Sequence, residues 1–358
     1  MTASPPPAAT PLLWADPARA AAFDRWLAAI AGPQRLCPDT VRLASADASF
    51  RRYFRVDTTL EAGVARIVMD APPDKEDSAP FVEIARLMAD AGVTAPKVLE
   101  WDREHGFLLL DDLGRQTMLD VIDPAKPDAS RPLYDQAIDA LIRWQLASKP
   151  DVLPPYDRAL LERELQLFPD WYITQHRGIA VEGKLKERLE RAFKLIVDSN
   201  LASPSVYVHR DFMPRNLMVD AGRMGVLDFQ DAVYGPITYD IASLMRDAFL
   251  SWDEEFVLDI TIRYWEAARR ARLPVDADFG AFYRAVEWMG LQRHLKVAGI
   301  FARLTLRDGK PKYLADTPRF IAYIRSTAGR YMELTPLVRA IDEIEGNSAL
   351  SGFAYGRV

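Results

Sequence analysis

The sequence predicts an α+β fold of two lobes: a small β-rich lobe over residues 1–113 and a larger, mainly helical lobe over 114–358. Three observations carry this expectation. Short runs with β character follow one another between residues 40 and 110 (TVRLAS, RRYFRVD, GVARIVMD, then KVLEW and GFLLL), separated by polar or glycine-containing turns. Beyond Asp111-Asp112-Leu113-Gly114 the apolar residues recur at helical spacing. Inside that helical part, residues 206–232 break the pattern, with short apolar pieces (VYVH, NLMV, GVLDF) set between polar loops.

Taken in order, residues 1–12 contain three consecutive prolines and are expected to be a disordered leader. Asp16 suits an N-cap and Pro17 the first helical position, and Phe23, Trp26, Leu27 and Ile30 form one stripe, so a helix is expected over 16–31. A second helix, from Ser78 to Ala91, interrupts the strands, with Phe81, Ile84, Leu87 and Met88 at helical spacing. The linker LDDLG then leads to helical stretches at 130–148, 157–175, 181–199, 237–249, 253–271, 277–305 and 316–344. In this layout the linker lies along a cleft between the lobes, a common place for a ligand.

Composition bounds the function. A chain of 358 residues with 49% hydrophobic residues can bury a large core. Its net charge of −6 gives no basic excess to favour a nucleic-acid backbone or an anionic membrane, so neither partner is expected. The single cysteine, Cys37, makes no internal disulfide, and there is no Cys/His cluster for zinc. No apolar run approaches the ~18 residues of a membrane helix. The start, MTASPPPAATPLLW, lacks the basic and apolar parts of a secretory signal, and the cytoplasm is the expected compartment.

The chemistry lies between Val206 and Asp240, where His209-Arg210-Asp211 is followed by Asn216 and then by Asp228 in VLDFQD. Phosphoryl transfer needs an acceptor oxygen placed in line and cations across the nucleotide phosphates. Asp211, in a loop after VYVH, suits a carboxylate that orients a hydroxyl and takes its proton. Asn216 and Asp228 offer the hard oxygens that magnesium takes, and they flank NLMV and GVLD, which can pair as a hairpin across DAGRM. His209 is expected to hold the loop together.

At these residues the chain resembles the aminoglycoside phosphotransferase and choline kinase branch of the protein-kinase-like fold, over roughly residues 20–345. The family's H-x-D-x-x-x-x-N motif matches His209, Asp211 and Asn216, and its D-[FW] motif matches Asp228-Phe229. The resemblance implies ATP as donor, Asp211 as catalytic base, and Asn216 and Asp228 as Mg2+ ligands. It also implies a structural role for Asp240, in GPITYD, as the residue that braces the catalytic loop. VMDAPP, LDFQDAVYGPITYD and MGLQRHLKVAGIFARL resemble, more narrowly, the bacterial anomeric sugar kinases. Those phosphorylate the C1 hydroxyl of N-acetylmuramate and N-acetylglucosamine in peptidoglycan recycling, which implies an amino sugar and a nucleotide as small-molecule partners. A same-family kinase for choline, homoserine, a ketosamine or an aminoglycoside, and a nucleotide-binding pseudokinase, are the alternatives.

The chain departs from the pattern at Met69, where this fold usually carries a strand lysine. Arg52, Arg55, Arg66 and Lys75 are the candidate replacements, with Arg66 and Val68 on one strand face and Ile67 and Met69 on the other. The loop SADASFRR has no glycine, and Ser49 is its candidate phosphate contact. Glu83 is the candidate for the helix glutamate. The Asp111 carbonyl and the Leu113 amide are expected to meet the adenine. For the acceptor, Arg293 and His294 are expected to face the cleft, Lys296 shares a helix face with Gln292, and Asp231 stands near Asp228 in sequence. Arg303, Tyr313 and Asp316 are further candidates.

Overall fold

RYFRVD buries Phe54 and Val56 and leaves Tyr53 and Arg55 on its other side, whereas FLLLD is buried along both sides. Both belong to one antiparallel sheet in a computed structural model that describes residues 14–46, 50–61, 63–220, 222 and 224–346. Its strands are β1 (Arg42–Ala46), β2 (Arg52–Asp57), β3 (Ala65–Asp70), β4 (Val98–Asp102) and β5 (Phe107–Asp111), in the order β1-β2-β3-β5-β4. The expected leader, residues 1–12, lies outside the described residues. The chain packs as two compact units, Met1–Thr117 with Leu217–Asp231, and Met118–Asn216 with Ala232–Val358.

In the first unit, helix α1 (Pro17–Gln34) starts where Asp16 caps the amide of Ala18. It lays Phe23 and Leu27 over the sheet face formed by Phe54, Val56, Val68, Phe107 and Leu109. Phe23 meets Phe54 and Phe107 edge-on at 5.4 and 5.5 Å. Burying each such side chain contributes about 1.5–3 kcal/mol. Asp70, at the end of β3 and fully buried, fixes this packing by accepting from Arg19 Nε at 2.8 Å and from Arg52 Nε at 2.9 Å. Helix α2 (Ala79–Asp90) buries Phe81, Ile84 and Met88 of the expected stripe together with Ala85, while Leu87 is half-buried.

The second unit is helical: α3 (Met118–Val121), α4 (Pro127–Leu146), α5 (Arg158–Leu167), α6 (Gly183–Ala202), α7 (Thr238–Met245), α8 (Glu254–Arg270), α9 (Phe279–Leu306), α10 (Thr317–Gly329) and α11 (Thr335–Glu345). Among its described residues one ladder pairs β6 (Ser205–Val208) with β9 (Val233–Pro236). The long α9 runs through the middle, against α5, α6, α7 and α10. At Gly299 an added side chain would strike the Leu167 backbone, so only glycine lets α9 approach the end of α5 this closely.

Three helical stretches end earlier than their apolar spacing suggests. After Leu167 the backbone widens into π-type turns over Phe168–His176, where Pro169 has no N–H to offer. The stretch expected to reach residue 249 stops at Met245, because the Asp247 carboxylate captures the amides of Phe249 and Leu250. Residues 316–344 form two helices, with Gly329 ending α10 and Pro336 in the first turn of α11. No helix among the described residues is long and apolar enough to cross a membrane.

Candidate active site

Strand β6 delivers the chain into the loop of His209, Asp211 and Asn216. The loop is held from below by Asp240, in the first turn of α7, whose carboxylate accepts from the His209 amide at 2.7 Å and the Arg210 amide at 3.1 Å. His209 is buried, and its Nδ1 accepts from the Asp211 amide at 3.2 Å, which places its ring proton on Nε2 and makes it a brace for the loop. Arg210 has a φ of 77°. A bulky residue in the left-handed region costs on the order of 1 kcal/mol and persists where its surroundings over-determine it. Here Arg293 Nη1 donates to the Arg210 carbonyl at 2.8 Å, and the Arg210 guanidinium donates to Glu164 at 2.5 Å. The kink sets the direction of Asp211. The Asp211 carbonyl accepts from Asn216 Nδ2 at 2.9 Å, so a metal held by Asn216 would be met by its Oδ1.

Beneath the loop lies a buried charge cluster. Glu164 on α5 accepts from the Tyr156 hydroxyl, from Arg210 and from Lys296, whose Nζ is 3.0 Å away. Burial alone would raise the Glu164 pKa, but Lys296 and Arg210 hold it below the ordinary carboxylate range. Lys296 also donates to the Tyr239 hydroxyl at 3.3 Å, and Arg293 stacks over the Tyr239 ring at 4.7 Å. Asp240 is different: burial pushes it up to about 7, against the loop amides that favour its charged form.

Asp228 belongs to the first unit. The strands β7 (Leu217–Met218) and β8 (Gly225–Val226) pair as a short hairpin, with Leu217 opposite Val226. The hairpin is stitched on by Val226 N–H to the Thr94 carbonyl at 2.8 Å and by Val219 N–H to the Gln116 carbonyl at 3.1 Å. Asp220 accepts from the amides of Arg115 and Gln116, and its side chain lies so close to Gly114, at φ 107°, that no other residue fits there. Asp228 itself has a φ of 62°, and the next residue, Phe229, is fully buried against Phe81 of α2 at 4.8 Å. Anchoring Phe229 therefore aims the Asp228 carboxylate, one oxygen of which accepts from Gln230 at 3.1 Å.

Among the described residues no group of three or more His, Cys, Asp and Glu side chains is placed to hold a metal. An amide oxygen and a carboxylate nevertheless fit magnesium, which takes one or two protein oxygens and completes its shell with phosphates and water.

The remaining candidates fall in varied surroundings. Ser49 lies outside the described residues. Arg55 grips Asp112 through two nitrogens, at 2.6 and 2.9 Å, and the Gly114 carbonyl at 2.7 Å. Arg66 projects on the α1 side of the sheet, between Val56 and Asp111 in register, and pairs with Asp111 at 3.4 Å. Glu83 is on the exposed side of α2. Leu113 packs on Gly225. Asp231 is exposed, 3.4 Å from Gln230. Arg293 and His294, expected in the cleft, are instead 4% and 2% exposed: the loop engages Arg293, and His294 stacks on Tyr323 at 5.0 Å. Lys296 is turned to Glu164. Glu164 escaped the sequence reading, although one signal marks it. It lies three residues after Leu161 and one before Leu165, a lone acid in an apolar stripe.

A family model described as the phosphotransferase enzyme family matches residues 40–275. The N-acetylmuramate/N-acetylglucosamine kinase of Pseudomonas aeruginosa is 52% identical over 297 residues, covering 82% of this chain and 85% of that protein. Two solved structures share the fold at low identity. A choline/ethanolamine kinase family protein from Mesorhizobium loti has a TM-score of 0.59 at 15% identity, covering 90% of this chain and 99% of that one. Amicoumacin kinase hAmiN, in complex with AMP-PNP, Ca2+ and Ami, has a TM-score of 0.59 at 16% identity, covering 85% and 94%. With a family match over more than half its length and a close relative over most of it, the chain is a kinase and belongs to the phosphotransferase enzyme family.

Proposed function

We propose that this kinase transfers the γ-phosphoryl group of ATP to the anomeric C1 hydroxyl of N-acetylmuramate and N-acetylglucosamine. The observation that carries the substrate is the 52% identity, over 82% of the chain, to a relative named for those two sugars. Asp211, presented at the kink that Asp240, Arg293 and Glu164 enforce, orients the C1 hydroxyl and takes its proton. Asn216 and Asp228 are the residues that would hold Mg2+, which when bound neutralises charge on the phosphates. The Asp111 carbonyl and the Leu113 amide are assigned to the adenine edge, and Asp231 to the acceptor. Arg293 and Lys296 bear on the acceptor through the loop they support, at the Arg210 carbonyl and at Glu164, because their side chains are buried, whereas His294, stacked on Tyr323, is assigned no contact with the acceptor.

The test is ATP consumption by the purified chain, with magnesium, against the two amino sugars and against choline, homoserine, a ketosamine and an aminoglycoside. The expected result is turnover with the amino sugars and a phosphate at C1, located by NMR. Replacing Asp211 by Asn is expected to lower kcat by about 10²–10⁴-fold without lowering the melting temperature. Turnover of choline or an aminoglycoside in place of the sugars would overturn the substrate assignment.

A further inference from the structure

A protein kinase usually sets a lysine of its third strand on the nucleotide phosphates and ties it to a glutamate of the next helix. In this chain the strand position is Met69, fully buried, and Glu83 on α2 is exposed. Phosphates still need a cation, and the sheet register decides which basic residues are on the correct side. Arg52 and Arg66 fall on the α1 face and are engaged by Asp70 and Asp111. Lys75 is half-exposed and beside Asp74. Tyr53 lies directly opposite Met69 and Arg55 opposite Ile67, so this is the side on which a lysine at position 69 would project. Arg55 is drawn to the linker end of the sheet by Asp112 and Gly114. Arg51, two residues before Tyr53 and interacting with its hydroxyl, continues the same side at the opposite end.

Arg51 and the neighbouring Phe50 amide are gathered on one carboxylate, that of Glu76. Arg51 Nη2 is 3.1 Å from Glu76 Oε2, and Glu76 Oε1 accepts from the Phe50 amide at 3.3 Å. The ion pair is largely shielded, with side-chain exposures of 12% and 15%. A guanidinium and a main-chain N–H converging on one anionic group is the donor set that holds phosphate oxygens. We infer that Arg51 contacts the phosphates of the donor nucleotide and that Glu76, in the loop before α2, positions it. The strand-and-helix ion pair of other kinases is thereby moved to the start of β2 and the preceding loop. This inference rests on the ATP-dependent reading above.

The test is isothermal titration of the full chain with Mg-ADP and, separately, with adenosine, which has no phosphate. Arg51→Met is expected to weaken Mg-ADP about 30- to 100-fold and leave adenosine within about twofold. Arg51→Lys should recover part of the loss. Glu76→Gln should weaken Mg-ADP about five- to tenfold, because the guanidinium remains but its orientation loosens. Glu83→Gln should change neither ligand. Unchanged Mg-ADP binding by Arg51→Met, or equal losses for both ligands, overturns the assignment to Arg51 alone. The selective loss appearing in Lys75→Met instead moves the role to Lys75. A parent protein that binds neither ligand sinks the ATP-dependent reading as well.

Discussion

The ion pairs at the outer strands of the first unit and the cluster beneath the loop of Asp211 treat charge in opposite ways. In the first unit, apart from the buried Asp70 shared by Arg19 and Arg52 and the shielded pair of Arg51 and Glu76, cations on the sheet are matched one to one nearer the surface, as Arg42 with Asp57 and Arg66 with Asp111. In the second, charges beneath the catalytic loop are buried and shared, Glu164 taking Arg210, Lys296 and Tyr156 together. Solvent screens a pair of the first kind and can replace a lost partner. A cluster of the second kind strands a buried charge when one member is removed. Pairs on the sheet can thus exchange partners, while the loop that carries Asp211 is held in one geometry.

The most severe way to break this contrast is Glu164→Gln. It leaves Arg210 and Lys296 buried without their carboxylate, and a loss of about 3–5 kcal/mol is expected. At ~2–4 °C per kcal/mol for a unit of this size, that is a fall in melting temperature of about 6–20 °C. Differential scanning calorimetry decides it, and a fall of a degree or two would show that the cluster is screened like a surface pair.

The buried interior of the second unit should also show in the pH dependence, through two groups of opposite sign. Burial lifts Asp240 from 3.8 to about 7, so the folded state holds a proton that the unfolded chain releases, and stability is lost as pH rises from about 4 to 7. Burial, with Arg246 and Arg293 nearby, lowers His294 from 6.5 to about 3, so the unfolded chain takes the proton and stability is lost as pH falls below about 6.5. Relative to the parent, Asp240→Asn should gain stability as pH is raised from 4 to 7. His294→Phe should gain as pH is lowered over the same range. Each gain should run at roughly 1 kcal/mol per pH unit. Denaturant unfolding across that range checks both, and parallel curves would mean that neither group titrates as placed.

What the sequence disclosed follows the same division. The strands of the sheet and the helix α2 were legible because alternation and helical spacing in RYFRVD and APFVEIARLM map directly onto burial. His209, Asp211, Asn216 and Asp228, the residues proposed for the chemistry, stand out in the sequence because the phosphoryl-transfer template restricts residue type and spacing. Supporting contacts were not. Glu164 reaches Arg210 across 46 residues and Arg293 reaches the same residue across 83, and no local pattern encodes a contact at such separations. The breaks at Met245 and Gly329 were hidden by apolar spacing that continues past them, although Gly329 and Pro336 marked the second.

Arg293→Lys is a gentler probe of the buried side. Lysine keeps the charge but lacks the planar fork that reaches the Arg210 carbonyl while stacking on Tyr239. With the kink at Arg210 less firmly held, kcat should fall about 10- to 100-fold, or 1.4–2.7 kcal/mol, with the KM for nucleotide within about twofold. A rise in the nucleotide KM with kcat intact would place Arg293 in substrate binding rather than in support of Asp211.

The mildest change belongs to the first unit. Arg42 and Asp57 are 34% and 47% exposed, and their 2.7 Å pair is open to water and salt. Arg42→Gln removes the charge but keeps a polar side chain able to reach the Thr40 carbonyl that Arg42 contacts now. The expected cost is below about 1 kcal/mol, and it should shrink further in 0.5 M salt, because the Debye length there is only a few ångströms. The same salt should leave the Glu164→Gln deficit almost untouched, since ions cannot screen a cluster they do not reach. Melting both variants at low and high salt therefore measures the contrast directly. Equal salt sensitivity in the two would mean that the charge beneath the catalytic loop is as wet as the charge on the sheet.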